Sequence, residues 1–374
     1  MKYYSTTNID KTGAQYRMII GERSNGKTYS ILYKILENYV KTGKEGCYVR
    51  RWDEDLKGNR GLSLYAAIVN DNHVERLTKG KYNSVYYNRR QWRLCKIVDG
   101  ERVLTDDKPF IWGFSLTQME HDKSTSYPNI TTIFFDEMLT RQMYLPNEFV
   151  LFMNVISTIV RLRRDVTIYM AGNTVNKHCP YFAEMGLNHV KQQKQGTIDV
   201  YTYGDTELKV AVEYCSKLDK KSKPNDYLFG FGNSRLSMIT GGVWEMALYP
   251  HCPTDIRPKD IVGEFFIEFD GYILQCDVIR RYDVELKTSM EFIYVHYKTT
   301  PIKNPARDVI FTVNADARPN VISNITRAIY PFHRAILKMF AMDKVFYQNN
   351  EVGELVRNYF QTCQQMDVIK EVSR

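Results

Sequence analysis

The residues Gly21-Glu22-Arg23-Ser24-Asn25-Gly26-Lys27-Thr28 fill every fixed position of the phosphate-binding pattern G-x-x-x-x-G-K-[ST]. The chemistry this spacing supports is the cradling of a nucleoside triphosphate. Gly21 and Gly26 permit a tight wrap, and the residues between them, Glu22, Arg23, Ser24 and Asn25, present backbone N–H groups to the anion. Lys27 reaches the β- and γ-phosphates, and the Thr28 hydroxyl is a ligand for Mg²⁺. A second group, Asp136-Glu137, closes the apolar run Thr131-Thr132-Ile133-Phe134-Phe135. Asp136 can hold Mg²⁺ together with Thr28, and Glu137 can polarise an attacking water as general base. Asn173 is a third candidate, an amide placed to sense the γ-phosphate or orient water.

These groups need elements to position them. Tyr16 to Ile20 reads as a buried strand, and Lys27 to Val40 as a helix with Ile31, Leu32, Ile35 and Leu36 on one face. Strand, glycine loop and helix is the context in which backbone N–H groups meet a phosphate. Cys47 to Arg51 reads as a second strand, Pro109 to Leu116 as another, and Val166 to Thr174 as one with a small polar tip. A helix starts near Pro146-Asn147 and ends in Arg161-Leu162-Arg163-Arg164. One of those arginines could stabilise charge in a neighbour's site; equally, arginines at a helix C-terminus complement its dipole. Strands alternating with helices imply a mainly parallel sheet covered on both faces.

Other stretches carry charge without a unique reading. The segment Trp52 to Gly61, with Lys57 and Arg60 among glycines, is either a flexible basic loop at a ligand or a solvated turn. Between Lys79 and Lys96 two β-like runs flank Asn88 in a basic, aromatic hairpin, suited to phosphates or to a neighbouring subunit. Asn176-Lys177-His178-Cys179 has cysteine where a guanine-reading motif needs an acid, so ATP is the expected nucleotide. The polar run Ser216 to Asn225 suggests a connection, and residues 186–246 are read as a linker region. Beyond it, Glu264 to Phe269 and Tyr272 to Val278 make a hairpin around Asp270-Gly271, with further strands at Phe292–Tyr297 and Val309–Val313. Helices are expected over Val321–Met342 and Val352–Cys363.

Composition narrows the class. The chain has 374 residues, 44% of them hydrophobic, and a net charge of +8 that suits a polyanionic partner. Seven scattered cysteines fit reduced thiols, and the His-Cys-Pro triplets at 178 and 251 lack the spacing of a zinc site. No apolar run approaches a membrane span and no secretory leader is recognisable, so the expectation is a cytoplasmic protein with no membrane partner.

The loop Gly21–Thr28, the strand ending in Asp136-Glu137, the tip Ala171-Gly172-Asn173-Thr174 and the segment Glu120–Asn129 together resemble the DNA-packaging ATPases of small picovirus-type podophages. Those are relatives of terminase large subunits. The resemblance is specific over about residues 15–180 and implies an α/β fold. Residues 1–185 would form an additional-strand, catalytic-glutamate (ASCE) P-loop ATPase, and 247–374 an α+β, RNase H-like, nuclease-inactive domain. It implies a homo-oligomeric ring, pentameric in that family, in the host cytoplasm and transiently on the prohead portal vertex. That ring drives double-stranded DNA inward, with the portal, and in some relatives a prohead RNA, as further partners. ATP and Mg²⁺ are the implied cofactors. The family's trans-acting arginine falls among Arg161, Arg163 and Arg164, with Arg164 and then Arg161 preferred. Lys123 matches a second basic residue acting across the subunit boundary, and Lys57, with Arg60 beside it, matches a DNA contact. The competing readings are a helicase-like motor on single strands, a terminase with a working C-terminal nuclease, and a non-enzymatic assembly protein.

Overall fold

The structure, a computed structural model, describes residues 4–118, 125–216, 244–245, 247–252, 255–283, 287–327 and 330–372. It divides into two compact units, Met1–Glu245 and Met246–Arg374.

The first unit is built on a ten-stranded sheet. In chain order its elements are β1 (Tyr16–Gly21), α1 (Lys27–Thr42), β2 (Glu45–Arg50), β3 (Ser84–Asn88), β4 (Gln91–Val98) and β5 (Glu101–Thr105). Then follow β6 (Ile111–Ser115), β7 (Ile130–Phe135), α2 (Glu148–Val160), β8 (Thr167–Asn173), β9 (Thr197–Thr202) and β10 (Lys209–Tyr214). The spatial order is β3-β4-β6-β2-β7-β8-β1-β10-β9, with β5 on β4. From β6 to β10 every neighbouring pair is parallel. The strands at both margins, β3 to β5 and β9, are antiparallel. Near-continuous burial along β1, β7 and β8 follows from helices on both faces, as parallel sheets require. One face packs Met18, Ile20, Ile133, Phe135 and Met170 against Phe152, Val155 and Ile159 of α2. The other packs Ile19, Tyr48 and Phe134 against Ile31, Leu32 and Ile35 of α1. Two functional consequences follow from the order. Strand β8 stands between β1 and β7, so the glycine loop, Asn173 and Asp136 leave the same edge in sequence. Strands β1 and β7 also carry their chemistry at their C-terminal ends, where ligands of such sheets bind.

Strands β9 and β10 revise the expectation that residues 186–246 form a linker. β10 runs parallel to β1 from Tyr16↔Val210 to Ile20↔Tyr214, giving that strand its second neighbour. Gly204 at φ +55° turns the chain between β9 and β10, a hairpin signal that the polar run downstream overshadowed. Within that polar run, residues 217–225 lie outside the described residues.

The second unit contains β11 (Ile261–Phe269), β12 (Tyr272–Asp283), β13 (Thr288–Tyr297), β14 (Ile310–Phe311), β15 (Val321–Ile322), α3 (Pro331–Ala341), β16 (Val345–Tyr347) and α4 (Asn350–Val372). Its sheet order is β15-β14-β11-β12-β13-β16. β11 to β13 form an antiparallel meander, and β14 and β15 extend it in parallel beside β11. Phe265, Ile267, Cys276 and Val295 form its core with Val352, Val356 and Tyr359 of α4. The helix expected from Val321 starts only at Pro331, because Val321–Ile322 join the sheet and Pro331 supplies the first helical position. No described helix is long and apolar enough to cross a membrane.

Candidate nucleotide site

The glycine loop leaves β1 at Gly21 and enters α1 at Lys27. Gly26 lies at φ +90° and Ser24 at φ +59°, so the loop turns through left-handed backbone just before the helix begins. Gly21 has no room for a side chain: a Cβ there would stand 2.9 Å from Cys215 Cβ. The loop, Asp136, Glu137 and Asn173 line one cavity of about 290 Å³.

Lys27 is buried inside the loop. Its ammonium donates to the carbonyl of Glu22 at 2.6 Å, to Asn25 Oδ1 at 3.1 Å and to Asn173 Oδ1 at 3.2 Å. Burial lowers its pKa, opposed by Cys215, Asp136 and Glu22 nearby. Thr28 donates to both carboxylate oxygens of Asp136, at 3.2 and 3.1 Å, although the two residues are 108 positions apart. Tyr48 adds a donor to the same carboxylate at 3.1 Å. Asp136 is buried, and desolvation raises its pKa against the partial relief of Arg50 and these donors. Arg50 stands 3.7 Å from this carboxylate, and the carboxylate with the Thr28 hydroxyl oxygen beside it is an oxygen donor pair that fits a hard divalent cation.

Glu137 follows at φ +58°, left-handed for a non-glycine residue, with a half-exposed side chain. Two adjacent arginines hold it. Arg50 reaches the carboxylate at 2.6 Å and also pairs with Asp55 at 3.1 Å. Burial works against the Arg50 charge, but Tyr48, Asp136, Glu137 and Asp55 more than offset it, so its pKa is raised. Arg51 holds the backbone instead: it donates to the carbonyls of Glu137 at 3.2 Å and Met138 at 2.9 Å. Its guanidinium is locked by the fully buried Glu148, at 2.7 and 2.9 Å, with the Tyr144 ring over it. From sequence, Arg50 and Arg51 are no more than the end of the strand Cys47–Arg51, and Glu148 carries no signal. The available signal was Arg50-Arg51 at the C-terminal end of a strand that neighbours the acidic one.

The remaining sequence candidates lie elsewhere. The segment with Lys57 and Arg60 is a 3-10 turn, Asp53–Leu56, followed by a short helix, Gly58–Ser63, rather than a flexible loop. Lys57 pairs with Asp53 at 2.5 Å, and Arg60 pairs with Asp55 at 2.7 Å. Arg60, Asp55, Arg50 and Glu137 therefore form one continuous ion-pair chain. Arg163 is a structural residue, donating to the carbonyls of Tyr127, Pro128, Ile130 and Ile159. Arg161 donates to the Thr125 carbonyl at 3.1 Å, while Arg164 projects with 90% of its side chain exposed, 3.5 Å from Glu207. Neither lines the cavity of its own chain. Arg23 faces outward, 3.8 Å from Glu245. Lys123 lies outside the described residues.

Known proteins share this architecture. A family model described as podovirus DNA encapsidation protein (Gp16) matches residues 2–238. The DNA packaging proteins of Bacillus phages phi29 and PZA are each 29% identical over 259 residues, covering 68% of this chain and 69% of theirs. Among solved structures, a chain of the bacteriophage Phi-29 viral genome packaging motor assembly superposes with a TM-score of 0.58 at 20% identity, over 96% of this chain and 99% of that one. The Phi-28 gp11 DNA packaging motor gives 0.50 at 17% identity, over 96% and 97%. At those identities the structural likeness speaks to the fold.

Proposed function

The chain belongs to the podovirus DNA encapsidation protein (Gp16) family, and from that premise we propose that it hydrolyses ATP to drive double-stranded genome DNA into a viral prohead. The observation that carries the catalytic part is the convergence of Lys27, Thr28, Asp136 and Glu137 on one cavity from two distant stretches of chain. Lys27, released from Glu22 and Asn173, would meet the β- and γ-phosphates, with the N–H groups of Ser24 to Thr28 around them. Thr28 and Asp136 would hold Mg²⁺, which supplies positive charge to the phosphate oxygens. Glu137 takes the proton of the attacking water, and Asn173 orients that water or reads the γ-phosphate.

Arg164, exposed and without a role in its own cavity, suits the charge-stabilising arginine given to a neighbouring subunit, and Arg161 is the second choice. That reading requires a ring on the portal, with five subunits as the family suggests and with a prohead RNA as a further partner. Lys57 and Arg60 would touch DNA phosphates, which carry no sequence information and so suit a motor that moves any sequence. A phosphate drawing Arg60 away from Asp55 would loosen Arg50 and change how firmly it holds Glu137. We read the second unit as an RNase H-like scaffold without a working metal site. The meander β11–β13 extended in parallel by β14 and β15 supports the scaffold.

The test is ATP turnover with prohead and DNA. Glu137→Gln should bind nucleotide normally and lose turnover by about 10²- to 10⁴-fold. Full turnover in that variant would remove Glu137 from its role.

A further inference from the structure

The β3–β4 hairpin carries a feature the nucleotide site does not use. Its register pairs Asn88 with Gln91, leaving a two-residue loop of Arg89 and Arg90 at φ +48° and +62°. Two left-handed residues in succession make the tight hairpin turn for which Asn-Gly is the unstrained choice. A long side chain at each position is held there against its backbone preference, and such strain concentrates where side chains must be aimed.

Both arginines line a cavity of about 440 Å³ that shares no residue with the nucleotide cavity. It lies at the β3-β4-β6 margin of the sheet, with β2, β7 and β8 between it and β1. Its walls are aromatic: Tyr127 meets Trp112 edge-on at 5.5 Å and Phe114 at 5.1 Å. Gly113 lets β6 approach its neighbour closely, since a Cβ there would stand 3.1 Å from the Trp92 ring and 3.2 Å from Arg90 Cβ. The rim holds three cations, Lys57, Arg89 and Arg90. Asp53 lies 2.5 Å from both Lys57 and Arg90, Glu54 stands 3.9 Å from Lys57, and Arg90 also donates to Gln118, while Arg89 has no ionic or hydrogen-bonding partner among the described residues. The rim is therefore short of negative charge.

We propose that this cavity also takes one unpaired nucleotide of a single strand, sharing Lys57 with the proposed duplex contact. Its phosphate would sit among Arg89, Arg90 and Lys57, and its base against Trp112 and Tyr127. A cavity of a few hundred Å³ with apolar walls and converging polar groups suits a small planar ligand. Aromatic faces beside guanidinium groups bind bases and phosphates together. A base inside a duplex would first have to leave its stack, so an intact duplex is the poorer ligand. An acidic segment of a protein would satisfy the cations but leave the aromatic walls unused.

The site is tested on the full-length chain without ATP, so the result is independent of the hydrolysis reading. Labelled short single strands of RNA and of DNA are titrated beside an abasic strand and a duplex of the same length. Intact single strands should bind about tenfold more tightly than the abasic strand. The variant Arg89→Asn with Arg90→Gly restores the unstrained turn, so the hairpin is retained while two cations are lost. It should weaken single-strand binding about tenfold and reduce the salt slope by roughly 1.4, at about 0.7 per phosphate contact. Binding of an ATP analogue should stay unchanged; the double variant takes Arg90 away from the buried Asp53 carboxylate, so the melting temperature is compared in Arg89→Asn alone, which breaks no ion pair and should leave it unchanged. Whichever of RNA or DNA binds better identifies the strand, and either supports the site. Equal binding of abasic and intact single strands, or wild-type single-strand affinity in the double variant, overturns it. Unchanged strand binding with weakened self-association overturns it in favour of a protein partner.

Discussion

The Arg51–Glu148 pair makes a prediction in which folding and turnover separate. Arg51→Met alone leaves the Glu148 carboxylate, whose side chain is 0% exposed, without its counter-ion. Breaking a buried pair on one side costs about 3–5 kcal/mol. At roughly 2–4 °C per kcal/mol for a unit of this size, melting should fall by roughly 6–20 °C. Replacing both partners, Arg51→Met with Glu148→Met, removes the buried charge altogether and is close to neutral for the pair itself. The remaining cost is the loss of donors at the Glu137 and Met138 carbonyls and of the acceptor for the Tyr181 hydroxyl and the Leu145 N–H, about 1–3 kcal/mol for each group left buried and unpaired. The double variant exchanges a stranded carboxylate for two stranded neutral donors, so its melting temperature should lie close to that of the single variant. Yet Glu137 at φ +58° would have lost both carbonyl anchors that help hold it in a backbone well that disfavours an ordinary residue by about 1–2 kcal/mol. A shift of about 1 Å in the base costs on the order of 100-fold in rate. Lys27 and Thr28 are untouched, so affinity for a non-hydrolysable ATP analogue should not change. Melting, analogue titration and turnover with prohead and DNA measure the three quantities separately. A double variant that folds and turns over at the wild-type rate would refute the positioning argument, and so would a parallel loss of nucleotide affinity.

Arg164→Ala should leave melting unchanged and reduce turnover in the assembled ring by about 10³-fold, whereas Arg163→Ala, which loses four backbone carbonyl partners, should lower the melting temperature. Gly46→Ala places a Cβ against the γ2 methyl of Ile35 and should destabilise the first unit by about 1–3 kcal/mol, partly restored by Ile35→Leu, which has no γ2 methyl; denaturant titration reads both. His296, 3.2 Å from Asp277, has its pKa raised above the ordinary 6.5, first by that hydrogen bond and against the effect of burial. A raised folded pKa gives stability that is complete below the unfolded value and is lost as pH rises through the folded one. Melting should thus fall as pH climbs above 6.5, and His296→Gln should flatten that fall.

The parts legible in the sequence were those whose signal is local. The glycine loop is contiguous, and β7 ends in two acids after an unbroken apolar run, so both strands and the meeting of Lys27 with Asp136 could be anticipated. What was not legible depends on strand order. Arg50 and Arg51 act on Glu137 because β2 lies beside β7, and Glu148 reaches Arg51 from 97 positions away. Nothing in the neighbourhood of either residue encodes that pairing. The role of β10 was hidden for the same reason, since its partner β1 is almost two hundred residues upstream. The Arg89-Arg90 turn was misjudged differently: two arginines contradict the turn chemistry that marks a hairpin, so the exact connection could not be placed.

The position of β10 also has a consequence for how the chain is made and handled. β1 gains its outer neighbour only once residue 214 has been synthesised, so the strand bearing the glycine loop waits on a ribosome with an open flank. A fragment ended at 185 would keep that flank permanently: an apolar parallel strand with unpaired backbone groups, the kind of edge that recruits other chains into aggregates. Expression of the catalytic unit alone should therefore extend through β10, and the return of the chain at Glu245, whose N–H donates to the Thr174 carbonyl at 2.7 Å, marks the natural end of such a fragment.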